Sequence, residues 1–274
     1  MKKGCLHEKW VLITGAGHGL GRALSLKCSE NGAYVIVTDR DFARAQETYE
    51  LVVQSGGRAL CFEMDVTDIQ SIARVRDEII QKIGTISVLI NNAGVVVGGS
   101  FEEVSLEHHL RTLDINLKGP ILVTHQFVQD LMEDSNSVIV NIASASSLIP
   151  LPWASTYAAS KWGVLGFTES LREEFKLKKR VRPKVIAICP SYISTGMFQG
   201  VKLPWLMTWI SPESLAKKIV QSIELGKENV LTPWNVVPVP LAKAILPSNW
   251  FSALCRWLGV SRSMVEWQGH SMKN

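Results

Sequence analysis

Tyr157 and Lys161 stand four residues apart in Tyr157-Ala158-Ala159-Ser160-Lys161. On a helix such a pair shares one face, with Cβ atoms about 5–6 Å apart. A free tyrosine titrates near pH ~10 and is a poor base at neutrality. A neighbouring ammonium favours the phenolate and draws that pKa down. A tyrosine tuned in this way can take a proton from an alcohol or return one to a carbonyl. The spacing alone also suits a plain surface pair, so its meaning depends on what lies upstream. Thirteen residues before Tyr157 stands Ser144, in the strand tip Ala143-Ser144-Ala145-Ser146-Ser147. A hydroxyl there can meet Tyr157 across a bound substrate. Several serines crowd the tip, and the residues alone do not choose among them.

The second piece of chemistry is a phosphate cradle. Trp10-Val-Leu-Ile-Thr14 is a short apolar run of the kind that forms a buried parallel strand. Thr14-Gly-Ala-Gly-His-Gly-Leu-Gly21 follows at once, and Arg22 to Asn31 shows helical spacing with Gly32 as a stop. Glycines let the backbone approach a pyrophosphate, and the helix N-terminus offers N–H groups and its positive dipole end. The next strand, Tyr34 to Thr38, ends in Asp39, 18 residues past Gly21. An acid that meets the adenosine ribose sits at an offset of ~20 residues. A carboxylate accepts from both ribose hydroxyls and repels a 2′-phosphate, so NAD is favoured over NADP. Arg40 softens that choice. The plain alternative is that Asp39 caps the helix starting near Asp41.

These groups need a scaffold, and the chain reads as alternating strands and helices. Phe42 to Gly56 is helical, Arg58 to Met64 is a strand ending in Asp65-Val66, and Asp68 to Ile83 is a helix closed by Gly84. Asp65 at its strand tip can reach an adenine amino group, or it and Thr67 serve as caps. Ser87 to Ile90 runs into Asn91-Asn92-Ala93-Gly94, with Asn92 expected nearer the ribose. One long helix is predicted over Ser105 to Glu133. Asn116 lies inside it, where propensity does not favour an amide. Pro120 lacks the N–H that would bond the Asn116 carbonyl, which leaves that carbonyl as an anchor for water. Ser137 to Ile142 is a fifth strand, Ala154 to Lys178 a helix rich in small residues, and Lys184 to Cys189 a sixth strand. An apolar segment, Met197 to Ile210, holds Trp205, Met207 and Trp209. Ser211-Pro212-Glu213 opens another helix with an N-cap serine and a first-turn proline. Asn229 to Thr232 reads as a seventh strand. The prediction is an α/β fold over residues 1–232. It is a Rossmann-type doubly wound parallel sheet of about seven strands with helices on both faces.

Residues 233–274 form a C-terminal extension expected to pack on the same domain. Its prolines break it too often to span a membrane. It covers the substrate mouth, pairs with another subunit or rests on a lipid surface, in that order of preference. Charged residues make up 20% and apolar residues 46% of the 274, an ordinary globular balance. The net charge of +4 is spread out, apart from Lys176 to Arg182, which reads as a solvated helix end. Nucleic acid would require a basic stripe. Cys5, Cys28, Cys61, Cys189 and Cys255 are far apart with no CxxC, so reduced thiols in a cytoplasmic setting are expected. Without HExxH or zinc spacing, no metal site is expected. Met1 to Trp10 is too short and polar for a signal peptide. No run reaches the ~18 apolar residues of a membrane span.

Together, Thr14-Gly-x-x-x-Gly19-x-Gly21, Asn91-Asn-Ala-Gly94, Asn116, Ser144 and Tyr157-x-x-x-Lys161 resemble the classical short-chain dehydrogenase/reductases. The resemblance implies a catalytic tetrad. Tyr157 is the general acid/base, and Lys161 lowers its pKa and holds the nicotinamide ribose. Ser144 hydrogen-bonds the substrate oxygen, and Asn116 positions a water in a relay through Lys161. It also implies Gly15, His18, Gly19 and Leu20 around the pyrophosphate and adenosine. Asp39, Asp65, Val66 and Asn92 serve the adenosine half, and Ile193 and Thr195 face the nicotinamide amide and phosphates.

Pro190-Ser191 departs from the Pro-Gly usual in the family after the sixth strand. Cys189 to Phe198 and Leu258 to Met264 are similar to the branch holding retinol dehydrogenases and 17β-hydroxysteroid dehydrogenases. Those relatives often carry an N-terminal membrane anchor that this sequence does not show, which counts against membrane residence and leaves peripheral membrane contact as an alternative to a purely cytoplasmic setting. The implied activity is reversible hydride transfer between NAD and an alcohol. The Trp- and Met-rich segment after Thr195 points to a lipophilic substrate: a retinoid, a steroid or a long-chain alcohol. A homodimer or homotetramer paired through the helices of Asn116 and Tyr157 is implied by analogy. The alternative is a non-catalytic NAD-binding redox sensor or scaffold, against which the intact tetrad argues.

Overall fold

The structure, a computed structural model, describes residues 4–178 and 183–269. β1 (Trp10–Thr14) feeds α1 (Gly19–Glu30), and β2 (Tyr34–Asp39), α2 (Phe42–Gln54), β3 (Arg58–Glu63), α3 (Ile69–Ile83) and β4 (Val88–Asn91) complete the first half. The second half holds α4 (Leu106–Leu113), α5 (Gly119–Glu133), β5 (Val138–Ile142), α6 (Ser155–Leu177), β6 (Lys184–Pro190), α7 (Pro212–Leu225) and β7 (Asn229–Thr232). The strands form one parallel sheet in the order β3-β2-β1-β4-β5-β6-β7. The order reverses between β1 and β4, and connections leaving in opposite directions open a crevice at the carboxyl ends of those two strands.

Side chains of a strand alternate between its two faces, and a sheet covered on both faces needs apolar residues at every position. β1 shows this directly. Val11 and Ile13 join one core with Leu24 of α1, Ala45 of α2 and Ile219 of α7. Leu12 joins the other with Ile79 of α3, Phe127 of α5 and Phe175 of α6. Leu12 and Phe127 are almost fully buried, and burying a side chain of that size contributes about 1.5–3 kcal/mol.

The single helix predicted over Ser105 to Glu133 is three pieces. α4 ends at Leu113, a π-helical turn covers Asp114–Lys118, and α5 begins at Gly119. The cause lies in the sequence. Pro120 has no N–H for the Asn116 carbonyl, and Gly119 N–H instead reaches back five residues to the Asp114 carbonyl. Such turns recur at functional sites, and this one turns Asn116 fully inward.

The C-terminal extension contains α8 (Val239–Ile245) and α9 (Ser248–Trp257). Phe251, Cys255 and Val260 form a small core against Ile149, Val239 and Leu246, which seats the extension beside the segment after β5. No helix among the described residues is long and apolar enough to cross a membrane. Of the charged run expected as a solvated helix end, Lys176 pairs with Glu173 and Glu228, each at 2.9 Å. Residues 179–182 of that run lie outside the described residues, as do residues 1–3 of the N-terminal segment and residues 270–274 of the extension.

Candidate active site

The crevice between β1 and β4 is floored by the glycine loop. Gly15 has φ +62°, and a methyl there would come within 2.8 Å of Ala93 Cα. Gly21 lies inside α1, where a methyl would strike the Gly15 carbonyl and sit 2.7 Å from Ala16 Cα. The loop is fixed from below by Asn92. Its Nδ2 donates to the carbonyls of Thr14 (2.9 Å) and Gly15 (3.0 Å), while Thr14 Oγ1 accepts from the N–H groups of Asn92 and Ala93. The Asn92 side chain therefore shapes the cradle. α1 starts at Gly19, earlier than its apolar spacing predicts, so loop and first turn are one unit. His18 is the exposed residue before that turn, and its side chain does not cap the helix. Leu20 is buried in the core beneath.

Asp39 is buried at the tip of β2. Its Oδ2 accepts from Gly17 N–H at 2.9 Å and its Oδ1 from Asp41 N–H at 3.1 Å. The cap of α2 is Asp41, not Asp39. Arg40 is exposed beside it. Asp65, half-buried at the tip of β3, accepts from Thr67 N–H (2.8 Å) and Thr67 Oγ1 (2.7 Å) through one oxygen, and Asp68 caps α3. Val66 packs against Gly119 at the start of α5. Across the crevice, Thr195 lies against Gly19, and Ile193 bridges Ile210. Of the residues expected around a dinucleotide, Asp39, Asn92 and Thr195 meet the glycine loop of this trough, at Gly17, Gly15 and Gly19. The fit rests on a cradle that side chains at positions 15 and 21 would fill and on a carboxylate aimed at Gly17.

Ser144, Tyr157 and Lys161 meet at the other end of the trough. Ser144 follows β5, and its Oγ accepts from Ser146 N–H at 3.1 Å, which leaves the Ser144 hydroxyl proton to donate elsewhere. Ser144 and Tyr157 line the same cavity. Lys161 is one turn beyond Tyr157 on α6. Its Nζ donates to the Ile142 carbonyl at 2.8 Å and lies 5.9 Å from the centre of the Tyr157 ring.

Burial dominates the electrostatics of both Tyr157 and Lys161. Burial pushes the Tyr157 phenol up to about 12, with Ser144 pulling hardest in the other direction. Burial also pulls the Lys161 ammonium down to about 8. Both groups sit in the same dry surroundings, where the charged form of each loses its hydration. Ser146 also pulls the phenol down. Its Oγ has no partner in hydrogen-bonding geometry, so its effect is that of a nearby dipole.

Asn116 occupies the space between α6 and the Asn91–Gly94 segment. Its Oδ1 accepts from Val95 N–H and its Nδ2 donates to the Val95 carbonyl, each at 2.8 Å, with a further bond to Ser160 Oγ at 3.1 Å. A methyl on Gly94 would lie 3.3 Å from Asn116 Oδ1 and 3.6 Å from Lys161 Nζ, so the three residues adjoin. Both Nδ2 protons are committed, and the main-chain carbonyl is the group the sequence offered as a water anchor.

The cavity beside Ser144 and Tyr157 is walled by Ile149, Leu151, Tyr192, Phe198, Met207 and Val260. Tyr192 and Phe198 stack edge-on at 5.3 Å, and Phe198 meets the Tyr157 ring the same way at 6.1 Å. Tyr192 OH donates to Ser263 Oγ at 2.8 Å, and Met264 and Trp267 pack in the same cluster, so the extension closes this side of the cavity. Of the three members of the segment after Thr195 that the sequence singled out, Met207 lines this cavity and the two tryptophans do not. Trp205 and Trp209 face outward, 62% and 43% exposed, while Phe198, Pro204 and Met207 face in. Tyr192 and Val260 were not singled out. Their signal was the branch resemblance of Cys189 to Phe198 and of Leu258 to Met264, the segments in which they lie.

A family model described as short chain dehydrogenase matches residues 9–203. Epidermal retinol dehydrogenase 2 of Mus musculus is 32% identical over 266 residues, covering 96% of this chain and 86% of that protein. Retinol dehydrogenase 10 of Rattus norvegicus is 29% identical, covering 92% and 83%. Among solved structures, a short chain dehydrogenase/reductase from Burkholderia phymatum in complex with NAD superposes with a TM-score of 0.79. It is 22% identical and covers 93% of this chain and 97% of that one. The family match begins just before β1 and runs through the Tyr157 helix to the segment over the cavity, and the chain belongs to the short-chain dehydrogenase family of oxidoreductases.

Proposed function

We propose that this chain interconverts a lipophilic alcohol and its carbonyl compound, with NAD as the redox partner. The observation that carries the reading is the junction of Ser144, Tyr157 and Lys161 with an apolar-walled cavity on one side and the glycine trough on the other. NAD supplies the two-electron acceptor or donor. The chain supplies the rest. The N–H groups at the start of α1, with Gly15, His18, Gly19 and Leu20, receive the pyrophosphate. Asp39 accepts ribose hydroxyls and repels a 2′-phosphate, with Arg40 at the rim. Asp65 and Val66 border the adenine, and Asn92 holds the loop. Ile193 and Thr195 border the nicotinamide end, and Lys161 the nearby ribose.

Tyr157 gives its proton to a carbonyl oxygen, and Ser144 donates a second hydrogen bond to the same atom. In the alcohol-oxidising direction Tyr157 first gives up its proton, a loss that a charged Lys161 eases, and the resulting tyrosinate takes the proton of the alcohol. The Asn116 carbonyl holds the water that connects Lys161 to solvent. Relatives named as retinol dehydrogenases support an alcohol of retinoid size, as do the apolar cavity walls. The thiols of Cys28, Cys61, Cys189 and Cys255 support a reducing, cytoplasmic setting. Exposed Leu106 and Leu110 on α4, Ile121 on α5 and Trp162 on α6 support pairing of copies through these helices, as a homodimer or homotetramer. We take residues 233–274 as part of the single catalytic unit.

A panel of alcohols of increasing chain length, each with NAD and NADP, tests this. Turnover efficiency rises roughly fourfold per methylene accommodated in the cavity, and NAD outperforms NADP. Equal turnover of short polar and long apolar alcohols overturns the lipophilic reading.

A further inference from the structure

We propose that the outward surface of the C-terminal extension docks on an anionic lipid bilayer, with the substrate cavity lying directly behind the docked face. The first observation is aromatic. Seven of the nine tryptophans are exposed, and Trp234, Trp250 and Trp257 are 70–74% so. On α9, Phe251 and Cys255 face the small core, while Trp250, Ala253 and Trp257, spaced three and four apart, hold a second stripe on the outside. A helix with one stripe on its own protein and another tryptophan stripe in water has an unspent apolar face. Trp257 meets Trp205 edge-on at 5.4 Å, so the outer stripe continues onto the segment over the cavity.

The second observation is charge. Residues 229–265 contain no Asp or Glu, but they hold Lys243, Arg256 and Arg262. Arg256 and Arg262 line one shallow groove with Trp153 and Trp257. Neither guanidinium has a side-chain hydrogen bond or ion pair among the described residues. Tryptophans beside unpaired cations match the headgroup region of a bilayer, where the ring sits at the interface and the cation meets phosphate. A second copy of this face would bring the same cations together, so the charge pattern selects an anionic sheet over self-association.

The third observation is place. The groove is lined by Pro152, Ser261 and Trp257, and Trp257 stacks on Trp205, while Leu151, Val260 and Pro204, next in the chain to Pro152, Ser261 and Trp205, line the substrate cavity. Consecutive residues thus line the groove and the cavity, Leu151 beside Pro152 and Val260 beside Ser261. A lipophilic alcohol held in the bilayer would meet the cavity without crossing water. The docking rests on the proposed function only for this geometry, because vesicle binding is read without turnover.

The test is sedimentation of the full chain with phosphatidylcholine vesicles and with mixed phosphatidylcholine–phosphatidylserine vesicles. The chain is expected to partition onto the mixed vesicles and to be released by salt. The double variant R256E/R262E is expected to lose roughly tenfold or more of that binding, and W250S/W257S to lose binding to both vesicle types. Ile69→Ser, at an exposed apolar residue on α3, controls for loss of surface hydrophobicity and binds as the parent does. Circular dichroism and turnover of a water-soluble alcohol stay unchanged in all variants, while turnover of a vesicle-embedded alcohol falls in R256E/R262E. Three results overturn the proposal. They are no binding to either vesicle, binding that neither double variant weakens, and a lipid-free dimer that W250S/W257S dissolves, which would assign the face to a second copy.

Discussion

The Lys161 ammonium sits 5.9 Å from the centre of the Tyr157 ring yet gives its hydrogen bond to the Ile142 carbonyl, at 2.8 Å. The two groups share a dry site, and burial acts on both. It holds the phenol neutral up to about pH 12 and drains the ammonium by about pH 8.

In the cofactor-free protein, Lys161 is therefore expected to lose its proton before Tyr157. Because the Lys161 value is depressed in the fold relative to the unfolded chain, the folded state binds fewer protons between about pH 8 and the ordinary lysine value of ~10.4. On this group's account stability rises with pH across that window. The raised Tyr157 value acts oppositely from ~10 to about 12. NMR titration of the lysine side chain and tyrosinate absorbance check the order. A tyrosinate signal from Tyr157 near neutrality would contradict it.

Asn116 bonds both main-chain polar groups of Val95. Asn116→Ala orphans them in a half-buried place, where an unmade bond costs ~1–3 kcal/mol. A loss of about 1–3 kcal/mol is expected in urea unfolding, with a smaller loss for Asn116→Asp, which keeps the acceptor. A change within about 0.5 kcal/mol, typical of a surface substitution, would show the bridge to be dispensable.

Gly21→Ala places a methyl against the Gly15 carbonyl and Asn92 Nδ2. The loop must shift, and NAD affinity is expected to fall roughly tenfold or more, a cost of ~1.4 kcal/mol. Cofactor fluorescence titration reads it. An unchanged dissociation constant would mean that this loop does not bind the cofactor.

Asp39→Ala removes a negative charge and the partner of Gly17 N–H. The ratio of kcat/KM for NAD over NADP is expected to drop about tenfold, again ~1.4 kcal/mol. Steady-state kinetics with both cofactors measure the ratio. If it does not move, Asp39 only braces the loop.

The strands were legible because parallel strands buried on both faces are unbroken apolar runs, as in Val11-Leu12-Ile13 and Val35-Ile36-Val37. The disturbance at Asn116 was legible because Pro120 lacks a donor, although a π-helical turn was not foreseen. What escaped depends on distant packing. Val95, the partner of Asn116, is 21 residues away, and nothing local marks it. The commitment of Asn92 to the Thr14 and Gly15 carbonyls needs the β1–β4 pairing first. Which side chains of Met197 to Ile210 face the cavity depends on the extension that packs over them. The pKa directions depend on burial, which no four-residue spacing reveals.

Tyr157→Phe tests the central claim most directly, because it removes one oxygen from a buried ring and little else. Cofactor affinity and the unfolding midpoint should stay near those of the parent, while alcohol oxidation falls by the ~10²–10⁴ that a proton-transferring group contributes. Turnover within a few-fold of the parent would contradict the account.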